Sequence, residues 1–427
     1  MDGGDNMQSK KMHPAEEICY VMKRAYQRNM VSSAGGCLSV RDEEGYMWIS
    51  PTSQDKGNLQ PEWIAKYDTQ GNQLSDYAGS MEWDNHLAIY NARPDVKAIF
   101  HTHSSAMLSI VFAREPLATK TFAGLAAKYK DKIAQIPFSI PGSEQLCSDI
   151  VKAVKNDKDI LTLDSHGTYI LCSSNLFDAF KVQDFIEMTA RTQVIAPALG
   201  NLLPDLTEEQ IKSYVVNAEN EVFDVLERKQ ETLTECAARK QLCILAKRGY
   251  ENRVIDCLGA SFSLRLGEDD FIITPADGDI ANLKKHDIIR VKNGKIEEGK
   301  VAPERTAFHR AVYLKNSEVG SVLVGAPAYA AAYCITDAKF DCSIDPELTF
   351  CIKGVEKYTF GTPYEEIAAG FHSNQLAAIV EHDFIAAAAV NGVKTLGIFE
   401  CMDYATRSVV EMSIRNRKPV QIAEYLK

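Results

Sequence analysis

The chain has 427 residues, 45% hydrophobic and 25% charged, with 25 Gly and 15 Pro, which excludes a disordered or collagen-like polymer and supplies enough apolar material for a sizeable core. At about 150 residues per domain the length suits two or three domains. A net charge of −11 argues against a nucleic-acid partner or an anionic membrane surface, because phosphate binding draws on clustered Lys and Arg.

In chain order, Met1 to Met12 are polar, lack the apolar run of a signal peptide and read as a tail. Glu16 to Met30 has helical spacing, with Ile18, Met22 and Ala25 on one face. A strand bounded by Gly45 and Pro51 follows, Pro94 leads into the apolar strand at Ala98-Ile99-Phe100, and Ser143 is placed to cap a helix ending near Asn156. Between the halves, Pro204 to Glu209 opens a charged helical stretch through roughly Arg228, with Thr207 as its cap. The most apolar run, Phe384 to Val390, breaks at Asn391-Gly392, far short of the ~18 residues of a membrane span. Eleven cysteines are scattered without a CxxC pair, the usage of reduced cytosolic thiols that pack as small apolar side chains.

The chain repeats itself. Gly36-Cys37-Leu38-Ser39-Val40-Arg41 is echoed by Ala260-Ser261-Phe262-Ser263-Leu264-Arg265, and Ile49-Ser50-Pro51 by Ile273-Thr274-Pro275 at the same offset without a gap. That offset also carries Asp55, Asn58 and Leu59 onto Asp279, Asn282 and Leu283; small gaps then bring Glu82 to Glu304 and Tyr90 to Tyr313, and Ser165-His166-Gly167 resembles Glu381-His382-Asp383. The expected organisation is a tail over 1–12, a first domain over 13–205, a helical linker over 206–230 and a second domain over 231–427. Each copy mixes helices and strands, which implies an α/β or α+β layer architecture.

The chemistry concentrates in Ala98-Ile99-Phe100-His101-Thr102-His103, where strand alternation puts both imidazoles on one face. His166, after the strand Ile160 to Leu163, offers a third donor, and three protein nitrogens hold a divalent ion with a position open for substrate. On its own the His-x-His spacing more often describes a pair of surface or hydrogen-bonded histidines, and the surrounding sequence reverses that balance. In the second copy Val324 and Ala326 stand where His101 and His103 stand in the first, so no metal is expected there, with His382 a structural histidine.

From about Ala15 to Gly200 the landmarks Gly36 to Arg41, Ile49-Ser50-Pro51-Thr52, Gly79-Ser80-Met81-Glu82-Trp83, Arg93-Pro94-Asp95, His101-Thr102-His103 and Ser165-His166-Gly167 come in an order that resembles the class II aldolase and adducin superfamily. The resemblance implies two tandem α/β/α domains, each a mixed or antiparallel sheet covered by helices. It implies His101, His103 and His166 as ligands of one divalent metal per chain, most simply Zn2+, and Glu82 as the catalytic carboxylate. The reaction implied is carbon-carbon cleavage or formation in a small sugar or sugar phosphate through a metal-stabilised enediolate. Gly36, Ser39, Thr52 and Ser80 are candidates for substrate or phosphate binding. The sequence departs from the phosphate-binding pattern at Gly36-Cys37, Thr52-Ser53 and Ser80-Met81, and Thr119 to Phe122 lacks the tyrosine that acts as proton donor in fuculose aldolase-like members. Two alternatives stand beside the lyase: an epimerase using the same metal, and an adducin-like interaction protein without catalysis. The resemblance also implies a homodimer with pseudo-four-fold symmetry, built from two copies per chain.

Overall fold

The computed structural model of the chain describes residues 12–219, 223–227, 230–276 and 278–419. All of the expected tail except Met12 lies outside them. Two compact units emerge, one from the residues up to Leu117 with Tyr129–Ala190, the other from Ala118–Lys128 with the residues from Arg191 on.

The first unit opens with α1 (Pro14–Gln27), where His13 accepts from the Ala15 amide, Pro14 pre-sets the first turn, and Ile18, Val21, Met22 and Ala25 are buried. The helix stops short of Met30 because Asn29 adopts a left-handed conformation (φ 57°) and the Met30 amide turns back to the Ala25 carbonyl at 2.9 Å. Met30 is nevertheless buried, as the apolar residue that closes such a cap. The chain continues through β1 (Cys37–Arg41), β2 (Met47–Ile49), β3 (Ala65–Tyr67), α2 (Trp83–Ala92), β4 (Ala98–Thr102), α3 (Ser105–Ala113), α4 (Ala123–Tyr129) and β5 (Ile133–Ile136). Then come α5 (Glu144–Lys155), β6 (Ile160–Leu163), β7 (Gly167–Cys172) and α6 (Leu176–Ile195). The Ser143 hydroxyl accepts from the Leu146 amide at the start of α5, as expected. The sheet runs β3-β2-β1-β4-β7-β6-β5, antiparallel throughout except for the β5–β6 pair. One buried cluster joins Ile49, Tyr67, Ile89, Ile99, Ile150, Leu161 and Tyr169 across strands and helices.

In the second unit, α7 (Glu208–Glu219) begins with a reciprocal cap: the Thr207 hydroxyl accepts from the Gln210 amide, and the Gln210 side chain accepts from the Thr207 amide. The helical stretch expected to reach Arg228 ends earlier. Arg228 itself lies outside the described residues, while Asp224–Leu226 form β8, parallel to β12 at the sheet edge, where ladder bonds override helical composition. The remaining elements are α8 (Leu233–Glu251), β9 (Ser261–Gly267), β10 (Asp270–Ile273), β11 (Ile289–Lys292), β12 (Lys295–Glu297), α9 (Thr306–Lys315) and β13 (Ser321–Gly325). They close with β14 (Val355–Tyr358), α10 (Tyr364–Ala369), β15 (Ala377–Val380), β16 (Ile385–Ala389) and α11 (Gly392–Ile414). The order β14-β15-β16-β13-β9-β10-β11 mirrors the first sheet strand for strand, including its one parallel pair at the β14 end, and β12 and β8 extend it.

The duplication extends to buried polar atoms. Ser39 Oγ lies 2.7 Å from His86 Nδ1 and 2.8 Å from the Tyr90 hydroxyl; Ser263 Oγ lies 2.7 Å from both His309 Nδ1 and the Tyr313 hydroxyl. Arg41 and Arg265 then donate to the carbonyls of Tyr90 and Tyr313 respectively. Burial takes the His86 and His309 pKa values down to about 3, so both rings are neutral hydrogen-bonding struts. No disulfide joins any of the eleven cysteines, and no helix among the described residues is long and apolar enough to cross a membrane.

Candidate metal and catalytic site

His101 sits one residue from the end of β4 and His103 just beyond it, so alternation sends both imidazoles to one face. Thr102, between them, points the other way to the Thr168 hydroxyl at 3.1 Å. His166 arrives from the β6–β7 turn, where Ser165 takes a left-handed φ of 56°. Gly167 is required there: a Cβ would meet the Thr102 carbonyl oxygen at 2.4 Å and the His103 ring at 2.6 Å.

The three imidazoles converge. One nitrogen from each of His101, His103 and His166 lies within 4.8 Å of the others. His101 Nδ1 is 2.9 Å from the Thr168 carbonyl, which only accepts, so the proton is on Nδ1 and the Nε2 lone pair faces the site. His103 Nε2 is 3.1 Å from that Nε2. Two ligands of a tetrahedral zinc at about 2.0–2.1 Å stand roughly 3.3 Å apart, so this spacing suits a shared cation. His166 keeps a buried Nδ1 without a hydrogen-bond partner. Burial and the neighbouring imidazoles lower the His103 pKa to about 3, leaving a neutral ring, the form that ligates metal. The donor set fits a divalent ion.

Glu82, the residue before α2, reaches the same point. Its Oε1 is 3.0 Å from His166 Nε2 and 3.4 Å from His101 Nε2. Burial pushes its pKa up, but His101 and His166 outweigh burial and hold the carboxyl well below its usual range. The Tyr169 hydroxyl donates to Oε2, and the Tyr169 ring stacks on His101 with centroids 4.2 Å apart. Tyr169 escaped the sequence reading; its signal was a single aromatic on the strand that follows His166-Gly167.

Of the other candidates, Gly36 (φ 80°) passes close under β4, where a Cβ would lie 3.1 Å from the His101 carbonyl oxygen. Thr52 and Ser80 belong to neighbouring loops tied by the Ser80 amide to the Ser50 carbonyl at 3.0 Å and the Thr52 amide to the Ala78 carbonyl at 3.2 Å. Ser39 is placed differently. It is fully buried and its hydroxyl is taken up by His86 and Tyr90, away from the three imidazoles.

In the second copy the strand registers locate the counterparts. His101 pairs with Cys37 and Tyr169; Val324 pairs with Ser261 and Ala386. Counting back along β7 and β16 from that pair puts Asp383, not His382, at the position of His166. His382 matches Ser165 instead, with the same left-handed backbone at φ 58°, so the histidine matched by local identity is one residue out of register. His382 Nδ1 lies 2.9 Å from the Thr121 carbonyl. Asp383 accepts from Arg305 at 2.5 Å, while Glu304 accepts from Lys128 at 2.6 Å and from the Tyr214 hydroxyl at 3.0 Å. Burial raises the Glu304 pKa, and Arg305 and Lys128 more than offset it, keeping the carboxyl below its usual range.

The class II aldolase and adducin N-terminal domain model matches residues 16–194 and again 240–409. Among curated proteins, the chain is 30% identical over 177 residues, 42% of its length and 80% of the relative's, to an L-fuculose phosphate aldolase of Haemophilus influenzae. It is likewise 30% identical over 190 residues, 44% of its length and 89% of the relative's, to a 3-oxo-tetronate 4-phosphate decarboxylase of the same species. A solved L-fuculose 1-phosphate aldolase superposes on 49% of this chain and 98% of its own, at 25% identity and a TM-score of 0.44. With that domain matched twice, over most of the chain, the chain belongs to the class II aldolase and adducin family.

Proposed function

We propose that the chain is a metal-dependent lyase that breaks or forms a carbon-carbon bond in a small hydroxy-carbonyl sugar phosphate. The observation that carries this reading is the meeting of three imidazoles and the Glu82 carboxylate at one point. His101, His103 and His166 would hold one divalent ion per chain, zinc by the preference of an all-imidazole set. When bound, that ion supplies Lewis acidity to adjacent carbonyl and hydroxyl oxygens of the substrate. Glu82 takes the hydroxyl proton in the cleavage direction and returns it in the condensing direction. Its low pKa keeps it an acceptor at neutral pH, and the Tyr169 hydroxyl fixes Oε2 while Oε1 stays beside the imidazoles that would hold the ion. Gly36, Thr52 and Ser80 border the anionic end of the substrate.

Decarboxylation of a 3-oxo acid phosphate is the second reading, supported by the equal identity to the decarboxylase. Both reactions place electrons on a carbon beside a carbonyl. Incubation of zinc-loaded protein with ketose 1-phosphates and with 3-oxo acid 4-phosphates separates them: aldehyde release is the expected result, and carbon dioxide release favours the second reading. A product that keeps its carbon count makes the protein an epimerase, and absence of both bound metal and turnover makes it an adducin-like scaffold. A homodimer in a reducing, cytosolic setting completes the proposal; a fully active monomer by light scattering overturns the assembly.

A further inference from the structure

The first copy buries a cation that no carboxylate answers. Lys56 opens the turn Lys56–Asn58, which Asp55 caps through the Gly57 amide at 2.9 Å, and it is only 3% exposed. Its ammonium donates to the Pro51 carbonyl, and among the described residues no carboxylate lies within ion-pair distance of it. An ammonium has three N–H donors, and a buried charge without a counter-charge is costly, as the lowered pKa of this group through burial reflects.

Its surroundings are those of the proposed active site. The Lys56 amide donates to the Ser33 carbonyl at 3.0 Å, tying its turn to the loop that carries Gly35 and Gly36 under His103 and His101. The Pro51 carbonyl that takes the Lys56 ammonium immediately precedes Thr52, and Cys37, the register partner of His101, has its thiol 3.2 Å from His86 Nε2. The Ser80 amide donates to the Ser50 carbonyl at 3.0 Å, so the Lys56 ammonium and the Ser80 loop meet the chain at Ser50-Pro51, next to Thr52.

The second copy shows independently which way this position faces. Its capped turn repeats residue for residue, with Asp279 receiving the Ala281 and Asn282 amides as Asp55 receives those of Gly57 and Asn58, which makes Ile280 the counterpart of Lys56. Ile280 lines a cleft together with Ala260, Ala276 and Glu304, the counterparts of Gly36, Thr52 and Glu82. The position looks into the cleft, and there the cation has become a hydrocarbon.

We propose that Lys56 is the anion-recognition residue of the first copy, its ammonium the counter-charge of a phosphate seated among Gly36, Thr52 and Ser80. This places the recognition charge on a side chain outside the three loop dipeptides where the sequence departs from the phosphate-binding pattern. The two hydroxyls donate to a dianion whose charge the ammonium halves. The assignment rests on the reading of the substrate as a sugar phosphate, but its test needs no turnover.

Inorganic phosphate is titrated calorimetrically into the full chain, once loaded with zinc and once stripped with EDTA. Binding is expected in both forms and at least tenfold weaker in Lys56→Met, with zinc uptake and circular dichroism unchanged, while Lys56→Arg retains it. Binding confined to the zinc-loaded form, equal binding by Lys56→Met, no binding by the native chain, or acetate binding as tightly as phosphate each overturns the proposal. Should Lys56→Met fail to fold, the labelled ammonium resonance of Lys56 in the native chain is expected to shift on phosphate addition, and an unmoved resonance overturns it. If the lyase reading also holds, Lys56→Met raises KM for the phosphorylated substrate at least tenfold with kcat within threefold of native; phosphate binding without any turnover sinks the lyase reading alone.

Discussion

The two copies surround the same carboxylate position with different partners. Each carries a glutamate just before the helix that leads into the strand of His101 or Val324, Glu82 and Glu304, and each holds that carboxylate below its usual pKa against the cost of burial. In the first copy the carboxylate's neighbours are imidazoles arranged to share an ion; in the second, Lys128 and Arg305 pair directly with Glu304 and Asp383. Glu304 and Lys128 are both more than a third exposed, so their pair is of modest worth, and the buried Arg305–Asp383 pair is the one whose loss costs several kcal/mol. The scaffold beneath is unchanged, down to the Ser-His-Tyr network of Ser39, His86 and Tyr90 and its twin Ser263, His309 and Tyr313.

The largest effect expected is on the live side of that comparison. The double substitution His101→Ala with His103→Ala should take bound zinc from about one per chain to none, by elemental analysis of protein purified without chelator, and lower lyase activity at least a thousandfold. Two ions per native chain would break the contrast between the copies. Next, Asp383→Asn should destabilise the protein by at most about 3–5 kcal/mol in urea unfolding, since it takes the nearest counter-charge from the buried Arg305 guanidinium and leaves it Glu304 at 4.0 Å and the Tyr214 hydroxyl, while zinc content stays the same. An unchanged midpoint would mean that the ion pair is not what holds the second site together.

The smallest effect concerns what the copies share. His86 and His309 resist protonation until about pH 3, whereas the unfolded chain protonates its histidines near pH 6.5. Stability from these rings is therefore complete above about pH 7 and drains away as pH falls from 6.5 towards 3, by about 3 kcal/mol per ring at pH 4.5. Urea midpoints at pH 7 and pH 4.5 measure this. His309→Gln should remove one ring's share of the acid sensitivity, and a variant as acid-sensitive as the native chain would show that the strut does not titrate as a buried neutral group.

Much of this was legible in the sequence. Period-two alternation put His101 and His103 on one face, the ungapped echo around Ser39 and Ser263 revealed the repeat, and Ser143 and Thr207 announced helix starts, because each signal is local and spaced by backbone geometry. The partner of His166 was misjudged because local identity favoured His382, and only the pairing of β16 with β13 shows that Asp383 holds that place. Tyr169 and Lys56 were passed over for a related reason. A tyrosine on a strand and a lysine in a turn are ordinary until neighbours distant in sequence, Glu82 for one and the Ser33 loop for the other, give them a role.

By itself, then, the amino-acid order determined that two related α/β units follow one another and that the first can assemble three nitrogens and a carboxylate, since repeats and strand periodicity are written along the chain. Tertiary structure alone decided which serine hydroxyls are spent inside the core, which acid replaces a lost histidine, and where a lysine is buried without a counter-charge. Those outcomes depend on what lies across the sheet and within hydrogen-bond reach, and strand register, not proximity along the backbone, sets both.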